Sequence, residues 1–334
     1  MPSDRLHVTP ERASGHHPRA RNAETNMPSG IDVRLLDHTT DPVRSLYVAY
    51  RTAYSALRPQ TIFDRIESEK ITREQMLDFV EKRLETGHAS PLEQVWFEFA
   101  IAGVTRAFSH QFVRHHIGIS FEQQSQRYVA FKKGEFPYTV PDTIRRAGFA
   151  PKMEEAFDRL GELYQEMIDA GIPPEDARFL IPNAANTNFK VVVNFLELLH
   201  ICDLRLCTRA QWEFRQVASQ MRAEIHRRFP ELAKYIQPKC GDRRWGYCDE
   251  SIEDWKACPI GKKRPHKKML FELFDAHRRG ELAPLAEDDF DIIEQVGSSV
   301  ATAGSAKGGV GAPPVIAPNG EHPAEGTPTT RDEG

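Results

Sequence analysis

Residues 111–128 concentrate side chains that suit an anionic ligand with a polar ring: two arginines, two histidines, two serines and four glutamines. An arginine guanidinium offers paired donors to a phosphate, and a glutamine amide both donates to and accepts from the edge of a heterocycle. A polar surface without a ligand is the alternative, but such a surface would contain more lysine and glutamate. The segment as a whole therefore predicts a binding site. Its candidate residues are Gln111, Arg114, His115, His116, Gln123, Ser125 and Arg127.

Other candidate residues lie before and after this segment. Taken singly, some of them could have a purely structural role instead of a role in binding. Arg205, for example, could pair with Asp203 or Glu213 on or near its own helix. Asn194 could likewise be an ordinary residue on a helix surface. The spacing of the whole set is what favours a site. These further candidates are His88, Ser90, Glu93, Arg178, Asn194, His200 and Arg205.

The elements that must position these residues follow from apolar periodicity. An i, i+3, i+4, i+7 repeat after Asp41, an N-capping residue type, predicts a helix that begins there. Further helices are predicted for residues 72–85 and 153–167. Alternating apolar residues from Val95 to Ile101 predict a strand.

Two predicted helices would carry candidate residues directly. The pattern after Gly103 turns helical, which would place Gln111 and Arg114 on one helix face. A long helix is predicted for about residues 191–228, including Cys202 and Cys207. Helices outnumber strands, and the folded part lacks the glycine motif of a Rossmann fold, so the predicted class is α/β in the mixed α+β sense.

Composition limits the classes of function. The chain has 334 residues, with 44 Lys+Arg, 48 Asp+Glu and a formal net charge of -4. A dedicated nucleic-acid-binding protein would carry a basic excess, so we expect no nucleic acid as partner. No apolar run approaches the roughly 18 residues of a membrane span, and the first residues lack a secretory signal. We therefore expect a soluble, cytoplasmic protein.

Both ends of the sequence lack aromatic residues, over residues 1–29 and 296–334. The second of these segments holds 8 of the 21 glycines. Such segments bury too little apolar surface to offset the entropy of ordering them. We predict disordered ends around one folded unit at residues 30–295, with a cysteine-containing C-terminal extension from about residue 236.

Three cysteines in that extension suggest a competing hypothesis. Cys240, Cys248 and Cys258 lie near His266 and a basic run at residues 262–268. They could form a structural zinc site or a disulfide, but no C-x-x-C spacing is present, and buried free thiols are the more ordinary alternative. A zinc-stabilised nucleic-acid-binding module is the non-enzyme hypothesis; we assign no metal ligand.

Four segments, in order, resemble the flavin-dependent thymidylate synthase family. Residues 114–116, Arg-His-His, followed by Ser125 resemble its signature of Arg-His-Arg, seven or eight residues, then Ser. Residues 87–93 resemble its Gly-His-x-Ser/Thr-Pro-x-Glu stretch. Arg178 fits the arginine before its Leu-Pro element, and residues 194–213 fit its long helix.

The resemblance covers about residues 31–230 and implies an enzyme, a methyltransferase that converts dUMP to dTMP. FAD reduced by NADPH would supply hydride, and methylenetetrahydrofolate would supply the one-carbon unit. It also implies the family's α/β fold with long central helices. The family assembles as a homotetramer whose active sites lie between subunits.

Residue roles are implied position by position. Arg114, Ser125 and Arg205 would be catalytic, and an arginine facing the uracil carbonyls would stabilise enolate-like charge without a cysteine nucleophile. The nucleotide would be bound by Gln111, Arg114, Gln123, Ser125, Arg127, Arg178 and Arg205. The flavin or folate would be lined by His88, Ser90, Glu93, His115, His116, Asn194 and His200.

Three positions depart from the family pattern, one of them Gln94, which replaces a common histidine. His116 stands where the family usually has its second signature arginine, and a histidine is largely neutral near pH 7. Leu196 replaces an arginine that typically touches FAD. Related enzymes of nucleoside-antibiotic pathways methylate UMP, so UMP is the alternative substrate.

Overall fold

Four antiparallel strands form where apolar and polar residues alternate. The computed structural model describes residues 30–281. The segments expected to be disordered, and residues 282–295 of the expected folded unit, lie outside the described residues. The strands are β1 (Asp32–His38), β2 (Trp96–Thr105), β3 (Ile119–Gln123) and β4 (Asn186–Asn194), in the order β1-β2-β4-β3. Phe97, Phe99 and Ile101 of β2 are buried, which confirms the strand predicted from their alternation.

Helices surround this sheet and confirm the mixed α/β class. The helices are α1 (Pro42–Ala53), α2 (Pro59–Glu67), α3 (Arg73–Glu85), α4 (Arg106–Phe112), α5 (Asp142–Arg146), α6 (Ala150–Asp169), α7 (Pro174–Ala177), α8 (Phe195–Arg205), α9 (Trp212–Arg228), α10 (Pro230–Ala233), α11 (Ile252–Ala257) and α12 (Lys267–Arg278). Short 3-10 turns lie at Ser90–Gln94, Lys132–Gly134, Arg178–Leu180 and Gly261–Lys263. No helix in residues 30–281 is long and apolar enough to cross a membrane.

Local capping explains why two predicted helices form where expected. The Asp41 side chain accepts a hydrogen bond from Arg44 N at 3.0 Å at the start of α1. Thr72 and Gln75 form a reciprocal capping box at the start of α3. The prediction for residues 153–167 is also confirmed, since these residues lie within α6.

The long helix predicted for residues 191–228 is wrong. Val191 to Val193 lie in β4, hydrogen-bonded between β2 and β3, because a β-branched run packs well in a sheet. Asn194 then caps α8, and its Oδ1 accepts from Glu197 N at 2.8 Å. The chain leaves the helix after Arg205, which puts Cys207 outside it, and Gln211 caps α9.

The helix after Gly103 is also shorter than predicted, because α4 ends at Phe112. Arg114 lies in the turn that follows, where its N–H donates to Gln111 O at 3.3 Å. The chain must reverse here because β3 begins only five residues further on, at Ile119. Gln111 and Arg114 therefore do not share a helix face.

A cluster of aromatic side chains packs beside the turn that follows α4. Phe108 and Phe112 of α4 pack against Phe214 of α9, with ring centroids 4.9 and 5.4 Å from it. Phe121 and Phe189 from β3 and β4 complete the cluster at 4.9 to 6.3 Å. Aromatic side chains in such edge-on contacts form a rigid base, which fixes the end of α4 relative to α9, β3 and β4.

Candidate active site

The turn after α4 is held against the start of α8 by a close backbone approach. Asn194 N donates to Gly118 O at 2.8 Å. Gly118 has a φ of +71°, and a Cβ at this position would overlap the carboxamide of Asn194. Only glycine meets both demands, so Gly118 brings the polar segment 111–128 onto the N-terminal end of α8.

His115 is the buried centre of the contact between this turn and α8. Its side chain is 6% exposed, and its Nδ1 lies 3.1 Å from Glu197 Oε1. Arg205 Nε donates to His115 Nε2 at 3.2 Å. The imidazole therefore bridges the first and last turns of α8, and it also contacts the ring of Phe214.

Arg205 has no acidic partner within the described residues. Asp203 binds Arg244, with 2.6 Å between Oδ1 and Nε, and Glu213 accepts from Thr105 N and Oγ1 at 2.6 Å each. The two ion pairs considered from the sequence are therefore not formed. The guanidinium stacks over Phe214 at 4.5 Å, and burial lowers its pKa below the ordinary value. A half-buried, uncompensated cation of this kind favours an anionic or electron-rich ligand.

Three more arginines gather around the segment before β4. Arg127 Nε donates to Glu175 Oε2 at 2.8 Å, and Arg178 Nε donates to the Glu175 carbonyl at 3.0 Å. Burial, and then the charge of Arg178, lowers the pKa of the Arg106 guanidinium. Because cations this close repel one another, the group suits a phosphate. Sequence reasoning missed Arg106, whose one signal is its position at the first turn of α4.

Three polar side chains of the segment 111–128, those of Gln123, Ser125 and Gln126, are half-buried. Gln123 Nε2 donates to Thr187 Oγ1 at 3.2 Å, and the Ser125 hydroxyl accepts from Arg127 N at 3.2 Å. Gln126 Nε2 is buried and has no hydrogen-bond partner among the described residues. An unsatisfied buried amide is costly, so Gln126, which the sequence reasoning passed over, is a further candidate for contact with a bound group.

The histidine segment 87–93 forms a second cluster beside the start of α8. His88 Nδ1 lies 2.9 Å from the Tyr54 hydroxyl, and its Nε2 lies 3.0 Å from Ser90 Oγ. Glu93 is exposed on the 3-10 turn, which packs against α8.

The other candidates lie on the outer side of the site. His116 and His200 are exposed, with the His200 ring 5.9 Å from that of His115. Arg114 is exposed in the turn, whereas Gln111 is half-buried on α4. The structure thus places buried His115 together with half-buried Asn194 and Arg205, and the exposed polar side chains lie around them.

Comparison with known proteins assigns the family. A family model described as "Thymidylate synthase complementing protein" matches residues 34–231. The chain is 38% identical over 215 residues to the flavin-dependent thymidylate synthase of Geobacter sulfurreducens, covering 63% of this chain and 88% of the relative. This chain belongs to the flavin-dependent thymidylate synthase family. It is also 40% identical over 227 residues to the enzyme of that name from Nitratidesulfovibrio vulgaris, covering 65% and 91%, and 35% identical over 257 residues to that from Clostridium tetani, covering 72% and 97%.

The cysteine-containing extension follows the residues that match the flavin-dependent thymidylate synthase family model. All five cysteines are free thiols, and no three His, Cys, Asp or Glu side chains between residues 30 and 281 are arranged to hold a metal ion. His266 uses both ring nitrogens, one near Glu250 O at 2.8 Å and one accepting from Lys268 N at 3.2 Å. The zinc hypothesis thus has no support in the described structure.

Proposed function

We propose that this protein is a flavin-dependent thymidylate synthase that methylates C5 of dUMP to form dTMP. Arg205 carries this proposal, because its half-buried charge has no acidic partner among the described residues and its Nε is held by a neutral acceptor, His115. The name shared by the relatives supports the same reaction and the methyltransferase class.

The nucleotide would lie between the two arginine groups. Arg106, Arg127 and Arg178 would bind its phosphate, with the phosphate taking over the donors that Arg127 now gives to Glu175. Gln111, Arg114, Gln123, Ser125 and Arg205 would bind the uracil side. Arg114 would contribute from the rim, and Arg205 from the half-buried base of the site.

The chemistry assigned to Arg205 is electrostatic. Negative charge develops on the uracil carbonyls as C5 becomes nucleophilic, and a fixed guanidinium in a partly desolvated site stabilises that charge strongly. A cysteine nucleophile is not indicated, because Cys202 is fully buried and burial raises the pKa of its thiol. Burial also raises the pKa of Cys207, so neither thiol is activated as a thiolate.

The residues present fit a flavin and a folate. A large polar ring system could accept a hydrogen bond from the buried Gln126 amide, which has no partner among the described residues. The exposed side chains of His116 and His200 would line its edge. His88, Ser90, Glu93 and Asn194 would line the adjoining part of the same space. When bound, reduced FAD supplies hydride to complete the methyl group, methylenetetrahydrofolate supplies its carbon, and NADPH reduces the flavin.

The same proposal includes assembly of the protein as a homotetramer and its location in the cytoplasm. Large apolar side chains around the site support contact with further subunits, since Ile117, Tyr128 and Phe179 are 74%, 80% and 86% exposed. Active sites between subunits would cover this surface and exclude water from the reacting groups.

The test is to purify the full chain, record its flavin absorbance and assay methylation of dUMP and UMP in parallel. We expect bound FAD and methylation of dUMP that depends on methylenetetrahydrofolate and NADPH. Activity on UMP alone would show that UMP, and not dUMP, is the substrate of the same methylation reaction. A protein that takes up no FAD, or that methylates neither nucleotide, would refute the proposal.

A further inference from the structure

The geometry points to Glu197 as a positioning residue for Arg205, acting through the imidazole of His115. This inference rests on the proposed function for its consequence in nucleotide binding, but its structural content can be tested separately. Glu197 lies within the segment 194–213 that resembles the family's long helix, but no role is assigned to it from the sequence. Its role can be inferred only from the structure, in which the turn after α4 places His115 against the first turn of α8.

The direction of each hydrogen bond in this chain of three side chains follows from elementary chemistry. An arginine Nε–H can only donate, so His115 Nε2, 3.2 Å from it, is the acceptor. An imidazole that accepts at Nε2 carries its proton at Nδ1, and it therefore donates to Glu197 Oε1 at 3.1 Å. Glu197 thus fixes which nitrogen of His115 faces Arg205.

Glu197 is itself held in place. Its backbone N–H is capped by Asn194 Oδ1 at 2.8 Å, and its side chain is 9% exposed. Placing a carboxylate in such surroundings is costly unless it is hydrogen-bonded, and His115 is the partner that the described residues supply. The contact with His115 therefore accounts for a carboxylate at this buried position, next to the candidate site.

The consequence is that Arg205 is restrained from two directions. His115 fixes its Nε, and Phe214 fixes the plane of the guanidinium at 4.5 Å. An unrestrained arginine samples many rotamers and loses that freedom when it binds a ligand. Because His115 engages only Nε, the terminal nitrogens are left for the nucleotide.

The first experiment compares Glu197→Ala and Glu197→Gln in the flavin-loaded enzyme. Glu197→Ala removes the acceptor, and we expect dUMP affinity and kcat to fall on the order of 10- to 100-fold, with FAD content unchanged. Glu197→Gln keeps an oxygen that can accept from Nδ1, so it should recover most of both losses. Unchanged dUMP affinity and kcat in the alanine variant would overturn the inference.

A matched control separates positioning from folding. Glu224 on α9 is also a mostly buried carboxylate, but its Oε2 accepts from Leu35 N of β1 at 3.1 Å. Glu224→Ala should lower thermal stability as Glu197→Ala does, yet leave dUMP affinity at the wild-type value. Equal losses of dUMP affinity in both variants would assign Glu197 a structural role only.

The second experiment does not depend on the reaction. Nitrogen-15 NMR of labelled histidine rings, assigned with His115→Gln, should show His115 protonated at Nδ1, and Glu197→Ala should shift that tautomer balance. A wild-type Nε2–H tautomer would overturn the inference. If the tautomer is as expected but neither nucleotide is methylated, the proposed function fails while the contact between Glu197, His115 and Arg205 stands.

Discussion

Asp203 is bound by Arg244 and not by Arg205, which lies two positions further along the same helix. The bond crosses from α8 to the C-terminal extension, 41 residues away. It engages the carboxylate that is nearest to Arg205 in sequence, and so leaves the charge of Arg205 available to a ligand. The extension therefore supports the site without contributing a proposed binding residue.

Arg244→Ala should destabilise the protein. It would leave Asp203, whose side chain is 13% exposed, charged and unpaired, at a cost of about 2 to 4 kcal/mol in the free energy of unfolding. The neighbouring Arg243→Ala is the control, because its partner Glu85 is 61% exposed and such surface pairs contribute little. Urea unfolding of both variants measures the difference. Equal stabilities would contradict the assigned importance of the Asp203–Arg244 bond.

Arg205→Lys should lower kcat on the order of 10²- to 10³-fold while the protein stays folded. A lysine keeps the positive charge but lacks the Nε that His115 holds and the planar group that stacks on Phe214. Steady-state kinetics with dUMP check this result. Arg209→Lys, at an exposed residue paired with Asp254, is the control and should retain wild-type kcat. A kcat near wild type in Arg205→Lys would remove Arg205 from the catalytic residues.

Arg106→Gln should raise KM for dUMP about tenfold and reduce the salt dependence of binding, because one phosphate contact carries roughly 1.4 kcal/mol. The expected effect on kcat is small, since phosphate binding is remote from C5. Arg159→Gln on α6, an exposed residue paired with Glu155, provides the control. If both variants have the same KM, Arg106 does not bind the phosphate.

Gly118→Ala should cost more stability than Gly148→Ala. Both glycines have a left-handed φ, +71° and +76°, so both substitutions carry backbone strain of about 1 kcal/mol. A Cβ at Gly148 meets no atom within 4 Å, whereas one at Gly118 overlaps Asn194. Thermal unfolding should show the larger loss for Gly118→Ala, together with weaker FAD or dUMP binding. Identical melting temperatures of the two variants would show that Gly118 and Asn194 are not in close contact in solution.

Features that depend on neighbouring residues were predictable from the sequence. The cap of Asp41 on α1 and the capping box of Thr72 on α3 act within one helical turn, so their residue types predict the start of each helix. The alternation around Phe97 and Phe99 predicts β2 for the same reason.

Features that depend on distant partners were not predictable. Val191 to Val193 read as part of a helix because the apolar pattern continues into α8, and only their pairing with β2 and β3 makes them a strand. Likewise, the turn after α4 meets the start of α8 through Gly118 and Asn194, a contact that no local spacing reveals.

The sequence by itself determined the chemical groups of this protein, the order of its motifs and the family they indicate. These properties reside in residue types and short spacings. Only the tertiary structure decided which charges compensate one another. It pairs Asp203 with Arg244, and it sets His115 between Glu197 and Arg205 across 82 and 90 residues. Because interactions of buried polar groups depend on distance and desolvation, such pairs are defined only in the folded chain.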